Sequence, residues 1–308
     1  MSEWSSDPGL VRRPSVAGSF YPGDPRRLTG TVGALFAAAA RLPGVERDVE
    51  AARGVPAAVL VPHAGLAYSG VTAAAAWLAI GTERGGPPGT VVILGTNHVA
   101  GWLVGVGAWA SGAWVTPAGE IAVDEALAAA IVGLGGAFEV DHDAHRGEHS
   151  IEVQLPLLTT IAPAARIVPL AVSAGTGDSA IEAGERLGGL LADRRAAGER
   201  IVLVISTDMA HYPPAAACER ITAELLPSIL ACDPGRLAAE EDAIRRAGLP
   251  GVACGMCGIE PAVLGIAAAR SMGATAVTVL ATATSADTGG SPGRTVGYLA
   301  TRFDVPTA

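Results

Sequence analysis

Short, nearly uninterrupted apolar runs alternate with longer amphipathic segments along the whole chain. The runs that predict strands are residues 57–62, 91–96, 165–172, 200–207, 276–284 and 295–303. The segments that predict helices are residues 25–42, 70–80, 124–135, 151–161, 178–195, 217–231, 234–247 and 258–272. Strands that are apolar at nearly every position are typical of a sheet buried on both faces. The alternation predicts an α/β fold with a largely parallel central sheet flanked by helices.

We interpret residues 1–308 as a single domain, because predicted strands at both ends of the chain suggest one sheet and no linker with a shift in composition interrupts it. Residues 1–11 are expected to be flexible. Half of the residues are hydrophobic and 17% are charged, which favours a globular chain over a disordered one. No apolar run reaches the ~18 residues of a membrane span, and the N-terminus lacks a signal-peptide pattern. These features predict a cytoplasmic protein with no membrane partner.

Charge and composition exclude several classes of function. All 21 basic residues are arginine, so the chain has no lysine for a Schiff base, a pyridoxal cofactor or a P-loop. The net charge of −9 and the absence of a basic stripe argue against nucleic acid as a partner. Four cysteines in 308 residues are too few for a disulfide scaffold, so we expect reduced thiols.

Three loops that carry metal-type ligands directly follow predicted strands. His63 follows VLVP, His98 follows VVILGTN, and Asp208 and His211 follow VLVIST. Because the carboxyl ends of parallel strands meet at one edge of a sheet, where ligands bind, these loops predict a shared site. Taken singly, His63 also fits a helix cap, and His98 fits an anion-binding turn.

The remaining histidines lie in one polar segment, DHDAHRGEHS. We expect His142 and His145 to be solvated. His149 lies between Glu148 and Glu152 at the start of HSIEVQLPLL, so it suits either a supporting role in the site or a helix cap.

Cys254 and Cys257 have the CxxC spacing, but the sequence around them fits neither of the two common uses of this motif. A structural zinc site needs a second pair, and a thioredoxin-like redox motif follows an early strand. Cys257 also precedes the predicted helix 258–272, whose N-terminus is expected to lower the thiol pKa and favour the metal-binding thiolate. A buried apolar cysteine is the alternative.

Six motifs, taken in order along the chain, resemble those of the Memo family, whose microbial members are called AmmeMemoRadiSam system protein B. The motifs are RRPSVAGSFYPGDP (12–25), VPHAGLAYSG (61–70), ILGTNHVAG (93–101), GEHSIEVQLPLL (147–158), VISTDMAHY (204–212) and CGIEPAVLGI (257–266). The family is similar in fold to class III extradiol dioxygenases, which cleave catechol rings with iron(II) held by two histidines and a carboxylate. The resemblance implies the same fold for this chain.

Residue by residue, the resemblance also implies a metal site. Its ligands would be His63, His98 and Cys257, and its metal iron(II) or copper, with zinc as an alternative. The catalytic candidates in the same pocket are His211, His149 and Asp208, and the substrate-pocket candidates are Phe20 and Tyr68.

The chain departs from the family pattern at three positions. Val99 stands where some members have a second histidine, Phe20 stands where some have tryptophan, and the family pattern does not explain Cys254. A thiolate in place of a carboxylate also makes a softer metal site, so ring cleavage does not follow from the resemblance alone.

Three functions remain open. The first is a non-haem metal-dependent oxidoreductase, in which His211 or His149 acts as general acid or base and Asp208 orients one of them. The second is a binding protein for a small molecule or peptide. The resemblance supports it, because animal members contact phosphotyrosine peptides and the microbial name implies radical S-adenosylmethionine and AMMECR-type partners. The third is a zinc hydrolase.

Overall fold

The computed structural model describes residues 10–51, 54–81 and 86–306. The helices are α1 (Pro25–Ala39), α2 (Pro43–Ala51), α3 (Leu66–Gly81), α4 (Glu125–Val132), α5 (Leu155–Ile161), α6 (Asp178–Ala196), α7 (Ala215–Leu230), α8 (Pro234–Ala247) and α9 (Ile259–Ser271). The strands are β1 (Val11–Arg12), β2 (Ala58–Val61), β3 (Thr90–Thr96), β4 (Gly105–Ala108), β5 (Ala113–Thr116), β6 (Gly119–Ala122), β7 (Phe138–Val140), β8 (Arg166–Ser173), β9 (Ile201–Ser206), β10 (Ala276–Thr284) and β11 (Gly297–Asp304). Within the segment that was expected to be flexible, residues 1–9 lie outside the described residues and Val11 begins β1.

A central sheet has the strand order β10-β11-β2-β9-β3-β8-β4-β7. Its middle strands, β2, β9, β3 and β8, are all parallel to one another. The β10–β11 hairpin joins one side through an antiparallel pairing of β11 with β2, and β4 pairs antiparallel with β8 on the other. Strands β1, β5 and β6 form a second, small sheet in that order. The prediction of an α/β fold with a largely parallel central sheet is confirmed.

Each of the six predicted strands occurs in this sheet, with bounds shifted by a few residues. The prediction that all six are buried on both faces is wrong for β10, which is partly exposed because it forms an edge of the sheet. Helix α2 and the short strands β1 and β4–β7 were not predicted. These strands have two to four residues each, too few to show a periodic pattern.

Helices cover both faces of the sheet. Helix α3, which is apolar on nearly every side, packs on β10, β11 and β2, whereas α9 packs on β9, β3 and β8 with α6 outside it. The α6–α9 contact depends on glycine, because a Cβ at Gly188 would lie 2.2 Å from the carbonyl oxygen of Ala268. This packing holds the N-terminus of α9 beside the strand ends. No helix among the described residues is long and apolar enough to cross a bilayer.

Candidate metal centre

Three neighbouring parallel strands deliver the predicted site residues to one edge of the sheet. His63 lies two positions after β2, His98 two positions after β3, and Asp208 two positions after β9. These strands are adjacent, in the order β2-β9-β3. His149 reaches the same edge from the connection between β7 and α5, and Cys257 reaches it from the residue before the N-cap of α9.

The side chains at this edge form two overlapping sets of three possible metal ligands. The Sγ atom of Cys257 lies 3.2 Å from His98 Nε2 and 3.6 Å from His63 Nε2. Ring nitrogens of His63, His98 and His149 also lie within 4.8 Å of one another. The rings of His98 and His149 stack with their centroids 4.6 Å apart. His63 and His98 therefore belong to both sets, and the third ligand is Cys257 or His149.

Glu148 fixes the orientation and the tautomer of His98. Its Oε2 accepts a hydrogen bond from the backbone N–H of His98 (2.6 Å), and its Oε1 lies 2.9 Å from His98 Nδ1. Burial alone would raise the pKa of Glu148, but hydrogen bonds from His98 and the backbone N–H of Ser150 lower it to about 2. An ionised carboxylate only accepts, so Nδ1 of His98 carries the proton. The lone pair on Nε2 is then directed toward Cys257.

A hydrogen-bond chain through Ser206 sets the tautomer of His63 in the same way. The hydroxyl of Ser206 donates to the carbonyl of Ser150 (2.7 Å) and accepts from Gln154 Nε2 (3.1 Å). Its remaining lone pair is 3.3 Å from His63 Nδ1, which must therefore be the donor. Gln154 is itself held by Trp77, whose Nε1 donates to its Oε1 at 3.0 Å. Burial lowers the pKa of His63 to about 4, so its Nε2 presents a lone pair at neutral pH.

The start of α9 places Cys257 against two strand ends. The backbone N–H of Cys257 donates to the carbonyl of Asp208 (3.1 Å), and that of Gly258 donates to Thr207 Oγ1 (2.9 Å). Only glycine fits at 258, because a Cβ there would lie 2.4 Å from Thr96 Oγ1. The predicted lowering of the thiol pKa by the helix N-terminus is wrong. Burial and the charge of Asp208 instead raise the pKa of Cys257.

Asp208 connects the loop after β2 with His211. Its Oδ1 accepts from the backbone N–H groups of His63 (2.8 Å) and Ala64 (3.3 Å). Its Oδ2 faces His211, whose Nε2 is 3.6 Å away. Burial would raise the pKa of Asp208, but His63 and His211 lower it, so the carboxylate is ionised. Asp208 thus links His211 to the loop of His63 and places a negative charge next to the His211 ring.

A buried carboxylate holds the N-terminal segment over the site. Glu152 accepts hydrogen bonds from the backbone N–H groups of Ser15 (2.9 Å) and Val16 (3.0 Å) and from the hydroxyl of Tyr21 (2.6 Å). It also forms an ion pair with buried Arg12. The RRPSVAGSFYP motif therefore folds around a side chain of the EHSIE motif.

The two predicted substrate-pocket residues lie in different surroundings. The Phe20 ring packs against His149, with the centroids 4.7 Å apart. Tyr68 is 48% exposed and lines a cavity of about 380 Å³ formed with Leu42 and Leu280. The structure thus brings Phe20 to the histidine cluster and places Tyr68 in a cavity between α3, α2 and β10.

The prediction that His142 and His145 are solvated is wrong for His145. This residue is fully buried, and its Nε2 is 2.9 Å from the carbonyl oxygen of Gly107. Its ring contacts Trp109 and Trp114 edge-on. His142 is half-buried, with its ring 4.9 Å from that of Trp109. Contacts with Trp109 and Trp114, about 30 positions earlier in the chain, therefore bury part of this polar segment.

Several residues that order the site had no predicted role. They act by fixing the ligands or the N-terminal segment: Arg12, Glu148, Glu152, Gln154 and Ser206. Each is polar and fully or almost fully buried. All five lie inside the six motifs, and all but Glu148 adjoin an apolar residue. A polar residue inside an apolar run was the available signal, since such residues need a partner when buried.

Comparison with known proteins identifies the family. The model of Memo-like proteins matches residues 12–302. A MEMO1 family protein of Methanothermobacter thermautotrophicus is 34% identical over 293 residues, covering 94% of this chain and 99% of that protein. A MEMO1 family protein of Aquifex aeolicus is 35% identical over 294 residues, covering 95% and 99%. The crystal structure of an uncharacterized protein from Escherichia coli K12 covers 80% of this chain at a TM-score of 0.48 and 15% identity. The family match along almost the whole length confirms the resemblance of the six motifs: this chain belongs to the Memo family.

Proposed function

We propose that the protein binds one iron(II) or copper ion through His63, His98 and Cys257 and acts as a metal-dependent oxidoreductase. The observation that carries this proposal is the convergence of two imidazole Nε2 atoms on one thiol, at 3.6 and 3.2 Å. The other nitrogen of each imidazole is occupied by Ser206 or Glu148, as is usual for metal-bound histidine. Two imidazoles and a thiolate suit copper, iron or zinc rather than magnesium or calcium.

A bound iron or copper ion would supply one-electron chemistry toward dioxygen or another small molecule. The chain's own residues would handle protons. Asp208 is ionised and orients His211, and either His211 or His149 exchanges a proton with the substrate. Phe20 covers one side of His149 and limits water there. The proposed ligand is a small molecule or peptide, and the proposed location is the cytoplasm, where a thiol ligand stays reduced.

Metal analysis of protein purified without oxygen tests the ligand set. We expect about one iron or copper ion per chain in the wild type and its loss in His63→Ala, His98→Ala and Cys257→Ser. His149→Ala should keep the ion, because His149 lies outside the proposed set. His142→Ala is the matched control, since its ring packs on Trp109 and not on the histidine cluster.

Three outcomes would change the proposal. Retention in Cys257→Ser with loss in His149→Ala would assign the site to the three histidines. A wild-type protein that takes up neither metal under any condition would refute the oxidoreductase role. Uptake of zinc alone would favour the hydrolase instead.

A second candidate is a binding role with radical S-adenosylmethionine or AMMECR-type proteins. The loop directly after His98 favours it, because Val99, Trp102 and Val104 are 48%, 62% and 83% exposed. Exposed apolar groups clustered in one loop are typical of a docking surface. Trp102→Ser should then abolish co-purification with such a partner and leave the metal content unchanged. Equal co-purification of both proteins would exclude this surface.

A further inference from the structure

The segment Cys254-Gly-Met-Cys257 contains a second thiol that the proposed metal site does not use. Cys254 and Cys257 are both half-buried, whereas Cys218 and Cys232 are only 0% and 4% exposed. The two thiols near the metal ligands are therefore the ones that a small oxidant reaches. Cys254 is also the cysteine that the family pattern does not explain.

Both cysteines are held against the same short loop. The backbone N–H of Cys257 donates to the carbonyl of Asp208, and the carbonyl of Cys254 accepts from the N–H of His211, each at 3.1 Å. The chain bends at Gly255 between these two anchors. A disulfide needs Cα atoms ~4.4–6.8 Å apart, and this bend shortens a span that would be ~10 Å if extended.

Buried Glu241 builds that bend. Its Oε1 accepts from the N–H of Gly255 at 3.1 Å and from Arg245 Nε at 2.8 Å. A Cβ at Gly255 would lie 2.3 Å from Glu241 Oε2, so a side chain there would have to displace this carboxylate. Met256 is fully buried and anchors the other half of the turn. A buried carboxylate and a glycine thus stabilise the turn that has the two cysteines on either side of it.

We propose that Cys254 is a resolving cysteine that converts oxidised Cys257 into a reversible disulfide. Hydrogen peroxide is the oxidant. The sulfur of Cys257 attacks one peroxide oxygen, the O–O bond breaks, and a sulfenic acid and water form. The sulfur of Cys254 then attacks Cys257, forming the S–S bond and releasing the second water. Two thiols together lose two electrons and two protons, and one peroxide is reduced to two waters.

The disulfide has two consequences. It stops Cys257 from passing to the sulfinic acid, which thiols do not reduce. It also removes Cys257 as a ligand, and this second consequence rests on the proposed metal site. Oxidation would therefore release the metal, and reduction would restore the site.

The first experiment uses chelator-treated, full-length protein and at least two equivalents of hydrogen peroxide per chain, because a thiol consumes two peroxides on its way to the sulfinic acid. Trypsin cleaves after Arg246 and Arg270, so one peptide, residues 247–270, holds both cysteines and no other. In the wild type we expect this peptide to lose two hydrogen atoms, and dithiothreitol to restore them. In Cys254→Ser the peptide should instead gain two oxygen atoms at Cys257, and dithiothreitol should not reverse this. Cys232→Ser is the control and should behave like the wild type.

Three results would overturn the proposal. The first is irreversible oxidation of Cys257 that is as fast in the wild type as in Cys254→Ser. The second is a disulfide that involves Cys218 or Cys232. The third is a wild-type protein whose four thiols all stay unreacted after peroxide treatment. Cys254→Ala repeats the test in case the serine variant is unstable. Because this experiment uses metal-free protein, its result does not depend on the proposed function. Metal release and rebinding in the loaded protein then tests the link between the two.

Discussion

At the residue scale, the chain's only asparagine and only glutamine both stabilise loops that carry candidate metal ligands. Asn97 accepts from the N–H of Ala100 and donates to its carbonyl, both at 2.8 Å, which closes the turn around His98. Gln154 joins Trp77 to Ser206, next to His63. The sequence indicates that both amides lie beside motif residues, but not what they bind. The Trp77 partner of Gln154 could not be predicted, because the two residues are 77 positions apart.

Ser206→Ala should weaken metal binding without unfolding the protein. The hydroxyl is the acceptor for His63 Nδ1 at 3.3 Å, so its loss frees the ring to rotate and to change tautomer. Loss of such a partner typically costs about 10–100-fold in metal affinity. Competition titration against a chelator of known affinity measures the change. Ser228→Ala, at an equally buried serine in α7, should leave the affinity unchanged. Equal affinities for Ser206→Ala and wild type would contradict the assigned tautomer.

His145 should make the protein lose stability in mild acid. Burial lowers its pKa to about 4 in the folded state, against about 6.5 when unfolded. The unfolded chain binds the proton more readily, so the free energy of unfolding is unaffected above pH 6.5 and falls as the pH decreases toward 4. At pH 5 the loss from this residue is about 2 kcal/mol relative to pH 7, at 1.36 kcal/mol per pKa unit.

Denaturant unfolding of wild type and His145→Gln at pH 7 and pH 5 measures this contribution. Glutamine retains an N–H donor for the carbonyl of Gly107 and does not titrate. The other histidines are common to both proteins, so the difference between the two pH profiles isolates His145. Parallel profiles would show that His145 is solvated after all.

At the scale of elements, the strands and most helices could be predicted because their patterns are long enough to be read. The loops that carry His63, His98 and Asp208 were predictable for the same reason, since each directly follows a recognisable strand. The segment 141–150 was not, because its burial depends on Trp109, Trp114 and Arg12, which come from other elements. The two-residue strand β1 likewise exists only through its pairing with β5.

Helix α9 should be sensitive to any side chain at Gly258. A Cβ there meets Thr96 Oγ1 at 2.4 Å, so Gly258→Ala forces the helix start, and Cys257 with it, away from the strands. We expect the free energy of unfolding to fall by about 1–3 kcal/mol, as for other overpacked sites, and metal binding to weaken as well. Gly189→Ala in α6 is the matched control. Nothing lies within 4 Å of its Cβ, so it should stabilise the protein by about 0.5–1 kcal/mol.

Chemical denaturation and metal titration of both variants distinguish the two effects. A Gly258→Ala protein that binds metal like the wild type would mean that the position of α9 does not set the position of Cys257.

At the scale of the whole molecule, the sheet topology brings the candidate site residues together at one edge. Strands β2, β9 and β3 are neighbours in the sheet although they are far apart in the chain, and the crossovers between them bring their loops together. The edge at which the site forms was predictable from parallel strands alone. The pairing of Glu148 and Ser206 with the two histidines was not, because it depends on how the 147–154 segment packs across that edge.

This arrangement predicts that metal stabilises the whole fold. The proposed ligands come from positions 63, 98 and 257, so an unfolded chain cannot hold them together. A ligand that binds only the folded state raises the free energy of unfolding by RT ln(1 + [L]/Kd), about 2.7 kcal/mol at 100 times Kd. Denaturant unfolding with iron(II) or copper(I), and again with excess chelator, measures this difference under anaerobic conditions. Cys254→Ser should show the full stabilisation, whereas His98→Ala and Cys257→Ser should show none. Equal stabilisation of Cys257→Ser would mean that the metal binds elsewhere or that the thiol is not a ligand.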